Sequence, residues 1–190
     1  MNIKNQNGWT ALHVAANNGH TGVVKFLVEH QAEVNVKDQD GRASLSDVTK
    51  KGWTPLNSAS CKGHLEVVSL LLDKGADVTV ASEEGWTPLN SASSEGHFEV
   101  VKLLLDKGAD VTVANNKGWT PLNSASNQGH LEVVRLLLDK GADMTVTNKN
   151  GWTPLNSAAE GGHLDGRQEG NAVQDPSLPR QGHGRPPARL

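Results

Sequence analysis

The stretch GWTPLNSASCKGHLEVVSLLLDKGADVTVASEE, Gly52 to Glu84, decides the fold, because the chain then repeats it. The tetrapeptide WTPL begins at Trp53, Trp86, Trp119 and Trp152, in steps of 33 residues. His64, His97, His130 and His163 keep that step, as do Gly75, Gly108 and Gly141. A period of this size points to a stacked array rather than to one deep core. Within the unit, Thr54 suits a helix N-cap and Pro55 the first helical position. Leu56 to Lys62 then reads as a short helix that Gly63 ends in a left-handed turn. From Leu65 to Lys74 the polar residues Glu66, Ser69 and Asp73 fall on one stripe, so the rest of that second helix faces inward. Gly75 stops it. The segment ADVTVASEEG, Ala76 to Gly85, mixes β-branched residues with turn formers and predicts a projecting hairpin finger. Helices of eight to ten residues are not stable alone in water, so stability must come from stacking.

These features predict an all-α repeat solenoid of 33-residue units, each a β-hairpin finger plus two antiparallel helices. The motif set resembles the ankyrin repeat. GWTALHVAANNGHTGVV, beginning at Gly8, is close to that family's consensus, and the later copies resemble it nearly throughout residues 5–163. Where the family has TPLHLAA, this chain has TPLNSAS or TPLNSAA. Asn57, Asn90, Asn123 and Asn156 replace the usual histidine, with amides able to make some of its backbone bonds. Ser58, Ser91, Ser124 and Ser157 replace an apolar residue. A buried site there would forgo about 1.5–3 kcal/mol per unit, unless the serines are partly solvated. Gln31 stands where later units have glycine, which predicts left-handed strain or a frayed helix end.

The units are residues 5–37, a truncated unit at 38–52 and a regular array over 53–163. Ala43–Gly52 aligns with Thr54–Gly63, after which the second helix is missing. The expectation is an interrupted solenoid in which the first unit packs imperfectly on the rest. Residues 164–190 leave the pattern and read as a disordered or frameshifted tail, rich in proline, glycine and arginine. The chain opens inside a finger, without a polar capping unit.

Composition narrows function. The formal net charge of −3 supplies no global attraction for nucleic acid or an anionic membrane. The longest apolar runs, such as VVSLLL, fall far short of the roughly 20 residues that cross a bilayer. The single cysteine, Cys61, fits a reducing compartment, so a cytoplasmic or nuclear location is expected. The repeating histidines lie one unit apart, too far to share a metal ion whose ligands sit about 2 Å away. They read as turn-stabilising groups. Phosphate-loop, dinucleotide and zinc-protease motifs are missing. The prediction is a non-enzyme without cofactor or metal, monomeric, binding a protein partner.

Comparison of the copies locates a candidate surface. Fingertip triplets differ (Thr49-Lys50-Lys51, Ser82-Glu83-Glu84, Asn115-Asn116-Lys117, Asn148-Lys149-Asn150), as do first-helix ends (Cys61-Lys62, Ser94-Glu95, Asn127-Gln128, Glu160-Gly161). The resemblance implies that these blocks line the concave groove where the family binds proteins. The candidate contacts are Trp53, Trp86, Trp119, Trp152, Lys50, Lys51, Lys62, Glu83, Glu84, Glu95, Lys117 and Gln128, with the tryptophans forming an exposed ladder. Near-identical units also resemble the arrays carried by large fungal NACHT-type sensor ATPases. The alternative is therefore a fragment or gene remnant of such a protein, without independent function.

Overall fold

The computed structural model describes residues 2–6, 8–38 and 51–162. Among these residues there are nine helices and no strand. Four antiparallel pairs follow one another: α1 (Ala11–Asn17) with α2 (Thr21–Glu29), α3 (Pro55–Lys62) with α4 (Leu65–Asp73), α5 (Pro88–Ser94) with α6 (Phe98–Asp106), and α7 (Pro121–Gln128) with α8 (Leu131–Asp139). A single helix, α9 (Pro154–Glu160), comes last. First helices stack in one row, from α1 through α3, α5 and α7 to α9, and second helices form a looser second row. The chain is a helical repeat solenoid.

The caps are built as the sequence predicts. Each first helix begins on a threonine whose side chain accepts a backbone N–H three residues on, for example Asn57 N–H on Thr54. Gly63 closes α3 at φ 72°. That glycine has a second role. A Cβ there would lie 2.5 Å from Nδ1 of His97, so the missing side chain makes room for the next unit's imidazole. The core is one continuous spine. Leu12, Leu56, Leu89 and Leu122 are each 1% exposed, with Ala59, Ala92 and Ala125 fully buried between the stacked helices.

Three expectations need correction. The fingers form no ladder among the described residues; successive fingers are tied by single backbone bonds. Glu83 N–H donates to the Lys51 carbonyl, Asn116 N–H to Glu84 and Lys149 N–H to Lys117, at 2.9–3.0 Å. The serines are not solvated: Ser58, Ser91, Ser124 and Ser157 are all buried. The Ser91 hydroxyl donates back to the Thr87 carbonyl, satisfying itself within the helix. Asp73 pairs with Lys107 of the next unit at 3.0 Å.

The third concerns the junction after the first unit. Residues 39–50 lie outside the described residues, but their flanks are ordered like any finger. In the regular units a small polar residue accepts the N–H of the tryptophan four positions on, as Ser82 does from Trp86 and Asn115 from Trp119. Asp38 does the same for Trp53, fifteen positions on. Its own N–H returns to the Trp53 carbonyl at 2.9 Å. The finger therefore closes across the irregular interval. α1 packs on α3 as α3 packs on α5, so the first unit is stacked, not loosely attached. Gln31 takes the strained option, with φ 64°, alone among the described non-glycine residues.

Candidate protein-binding face

From Trp53 onward each tryptophan backbone is held from two sides. Its N–H is taken by the finger residue just described, and its carbonyl accepts an amide from the preceding unit. Asn57 Nδ2 donates to the Trp86 carbonyl at 3.0 Å, Asn90 Nδ2 to Trp119 at 3.1 Å and Asn123 Nδ2 to Trp152 at 3.3 Å. His13 Nε2 gives the same bond to Trp53. The asparagines thus make the histidine's bonds, as expected. The tryptophans themselves do not form an exposed ladder. Trp53 is 6% exposed and Trp9, Trp86, Trp119 and Trp152 are half-buried. The Trp9 indole N–H donates to the buried Asp38 carboxylate at 3.0 Å. Burial pushes the Asp38 carboxyl upward against the opposing pull of the N–H groups that bond it.

Two half-buried rings share a groove. Trp86 and Trp119 line a space of 210 Å³ with Asn115, Lys117, Ser94, Ser124, Asn127 and Gln128. Four expected contacts, Trp86, Trp119, Lys117 and Gln128, are therefore brought together. Trp152 belongs to a separate, more open groove beside α9, with Asn150, Asn156 and Glu160. Lys51 and Glu83 pair with each other at 3.1 Å across neighbouring fingertips. Glu84 is half-buried, while Lys62 and Glu95 are exposed at first-helix ends. Lys50 lies outside the described residues. Ser82, Asn115 and Asn148 vary between units but are buried finger closures. Their variation stays within acceptors that reach the tryptophan N–H, a constraint that the residue types, Asp38 included, already carry.

The inter-helix histidines act between units rather than within a turn. Nε2 of His64 donates to the Asn17 carbonyl, His97 to Cys61 and His130 to Ser94, at 3.0–3.1 Å. A carbonyl only accepts, so each Nε2 carries the proton. Among the described residues no group of histidine, cysteine or acidic side chains is arranged to hold a metal ion. No helix there is long and apolar enough to cross a membrane.

A solenoid with a furrowed first-helix face is the architecture of a binding module, and comparison with known proteins agrees. The sequence model described as Ankyrin repeats matches in three copies, over residues 1–82, 43–115 and 112–168. The chain belongs to the ankyrin-repeat family. It is 41% identical over 44 residues to an ankyrin repeat-containing protein of Schizosaccharomyces pombe, which covers 23% of this chain and 21% of that one. The ankyrin repeat domain-containing protein SOWAHB of Homo sapiens is 46% identical over 43 residues, 22% of this chain and 5% of its own. Protein phosphatase 1 regulatory subunit 12A of Gallus gallus is 53% identical over 36 residues, 19% of this chain and 4% of its own. The matches thus span about a fifth or less of each relative. Ankyrin repeats are protein-interaction modules and typically carry no catalytic chemistry.

Proposed function

We propose that the chain is a non-enzymatic scaffold that holds a protein partner in the groove between Trp86 and Trp119. The observation that supports this most is the pairing of two half-buried indoles with a polar floor. Their backbones are fixed from both sides, so the rings are presented at low entropic cost. Tryptophan is enriched among residues that dominate binding energy. Asn127, Gln128 and Lys117 surround the rings with hydrogen-bonding groups suited to a polypeptide backbone. An intracellular location suits the single cysteine.

The test is affinity capture with wild type, Trp86→Ala, Trp119→Ala, and Lys102→Ala on the second-helix surface. A partner recovered by wild type and Lys102→Ala and lost from both tryptophan variants supports the groove. Equal recovery by all four removes it. The near-identity of the repeats favours a second reading, a fragment or gene remnant of a larger ankyrin-bearing sensor ATPase without independent function. Binding by the isolated chain would count against a remnant without function of its own.

A further inference from the structure

The groove between Trp86 and Trp119 is lined by Lys117, on the fingertip before Trp119, and by Gln128, at the end of the helix after it. The groove beside Trp152 likewise joins a fingertip residue, Asn150, to a first-helix end, Glu160. Fingertips and first-helix ends therefore meet on one face. Along the array these two places hold Lys51 with Lys62, then Glu84 with Glu95, then Lys117 with Gln128, in steps of 33 residues. The sign of charge changes from level to level, yet at no level do the two places oppose each other.

Part of this charge is neutralised within the molecule. Lys51 pairs with Glu83 of the next fingertip at 3.1 Å. Elsewhere neighbouring units are joined by Lys107 to Asp73 and by Lys140 to Asp106. The side chains of Lys62, Glu84, Glu95 and Lys117 enter no ion pair among the described residues. The face is left with one positive charge, then two negative charges, then one positive charge, at three successive levels. Stacked helices lie roughly 8–10 Å apart. An extended chain covers that distance in about three residues, at about 3.3 Å each.

We propose that the partner presents an extended segment to this face, with an acidic, a basic and an acidic side chain at three-residue intervals. One acid sits in the Trp86–Trp119 groove against Lys117, the base faces Glu84 and Glu95, and the other acid faces Lys62. This rests on that groove being the partner's site, and it names the chemistry of the occupant. The pattern reads the same in either chain direction. Alternation also fixes the register, because a slip by one level sets like charge against like.

Selection of a random peptide library on the full chain tests this. Wild type is expected to enrich peptides with acid, base and acid spaced by three. The double variant Glu84→Lys, Glu95→Lys should enrich peptides with an acid in place of the base. It should bind the best wild-type peptide about tenfold more weakly in fluorescence anisotropy. That gap should narrow at about 0.5 M salt. Both substitutions copy Lys51 and Lys62, which the chain already holds at the same places one level earlier, so circular dichroism should be unchanged. Peptides that require Trp119 but lack the spacing overturn the inference and leave the groove standing, as does selection of the same peptides by the charge-reversed variant. Enrichment indifferent to Trp119→Ala, or no enrichment, removes the groove and the inference together.

Discussion

The first unit and the interior units solve one bonding problem with different side chains. In the units before the last, a buried group three residues after the cap must accept from the threonine and donate to the next tryptophan carbonyl. In the third unit Asn90 does this with Oδ1 toward Thr87 and Nδ2 toward Trp119. In the first unit His13 does it with Nδ1 toward Thr10 and Nε2 toward Trp53. Both residues are fully buried. The site therefore selects an acceptor and a donor at opposite ends of a short rigid group, and an amide and a neutral imidazole both qualify. They differ in one property: only the imidazole titrates.

Removing that group where it cannot titrate should have the largest effect. Asn90→Ala strands the Thr87 hydroxyl and deletes both Nδ2 bonds, to Val113 and Trp119. A loss of about 3 kcal/mol is expected, read as a lowered urea midpoint. Asn90→His should retain most of that stability near neutral pH, because the first unit shows that the ring fits this bonding.

The next effect belongs to the first unit. Burial, with Lys4 adding to it, lowers the His13 pKa to about 4 from an ordinary 6.5, against the raising effect of its bond to Trp53. The unfolded chain thus takes up a proton that the folded chain refuses. Stability is full above about pH 6.5 and is lost as pH falls toward about 4, by at most about 3 kcal/mol. His13→Asn should flatten urea midpoints across that window. Asn90→His should steepen them.

The sequence shows why these residues are recognisable and where recognition fails. Period, caps and the αL glycine follow from local chemistry, so Thr54, Pro55 and Gly63 could be placed from residue type alone. The fixed histidines are legible as structural but not as bonds between units, because none of the three partner carbonyls has a side-chain signature. The closure of Asp38 on Trp53 is illegible for a related reason, since fifteen positions separate the two and only three-dimensional stacking brings them together. The tryptophans are less exposed than their finger position suggests, because stacking of neighbouring units covers part of each ring and spacing alone does not show how much.

Smaller differences separate the units too. Ser93 is fully buried and its hydroxyl has no partner among the described residues, while the first unit has the buried Ala16 at that place. Ser93→Ala should raise stability by about 1 kcal/mol, since a desolvated hydroxyl is removed and no bond is lost. Ser91→Ala should gain nothing comparable, because that hydroxyl is already bonded to Thr87.

The smallest effect should come from the one feature in which the first unit is the worse built. Gln31 holds φ 64° where Gly75, Gly108 and Gly141 hold 85–88°. A side chain in that conformation costs about 1–2 kcal/mol. Glycine there would relieve it, but the unfolded chain would also become more flexible and take back about 0.4–1 kcal/mol. Gln31→Gly should therefore stabilise by only about 0.5 kcal/mol in urea titration. Because Gln31 is exposed and makes no side-chain bond among the described residues, the gain should be independent of pH, unlike that of His13→Asn. A gain that vanished at acid pH would couple the end of α2 to the His13 site and show that the first unit's two departures act as one.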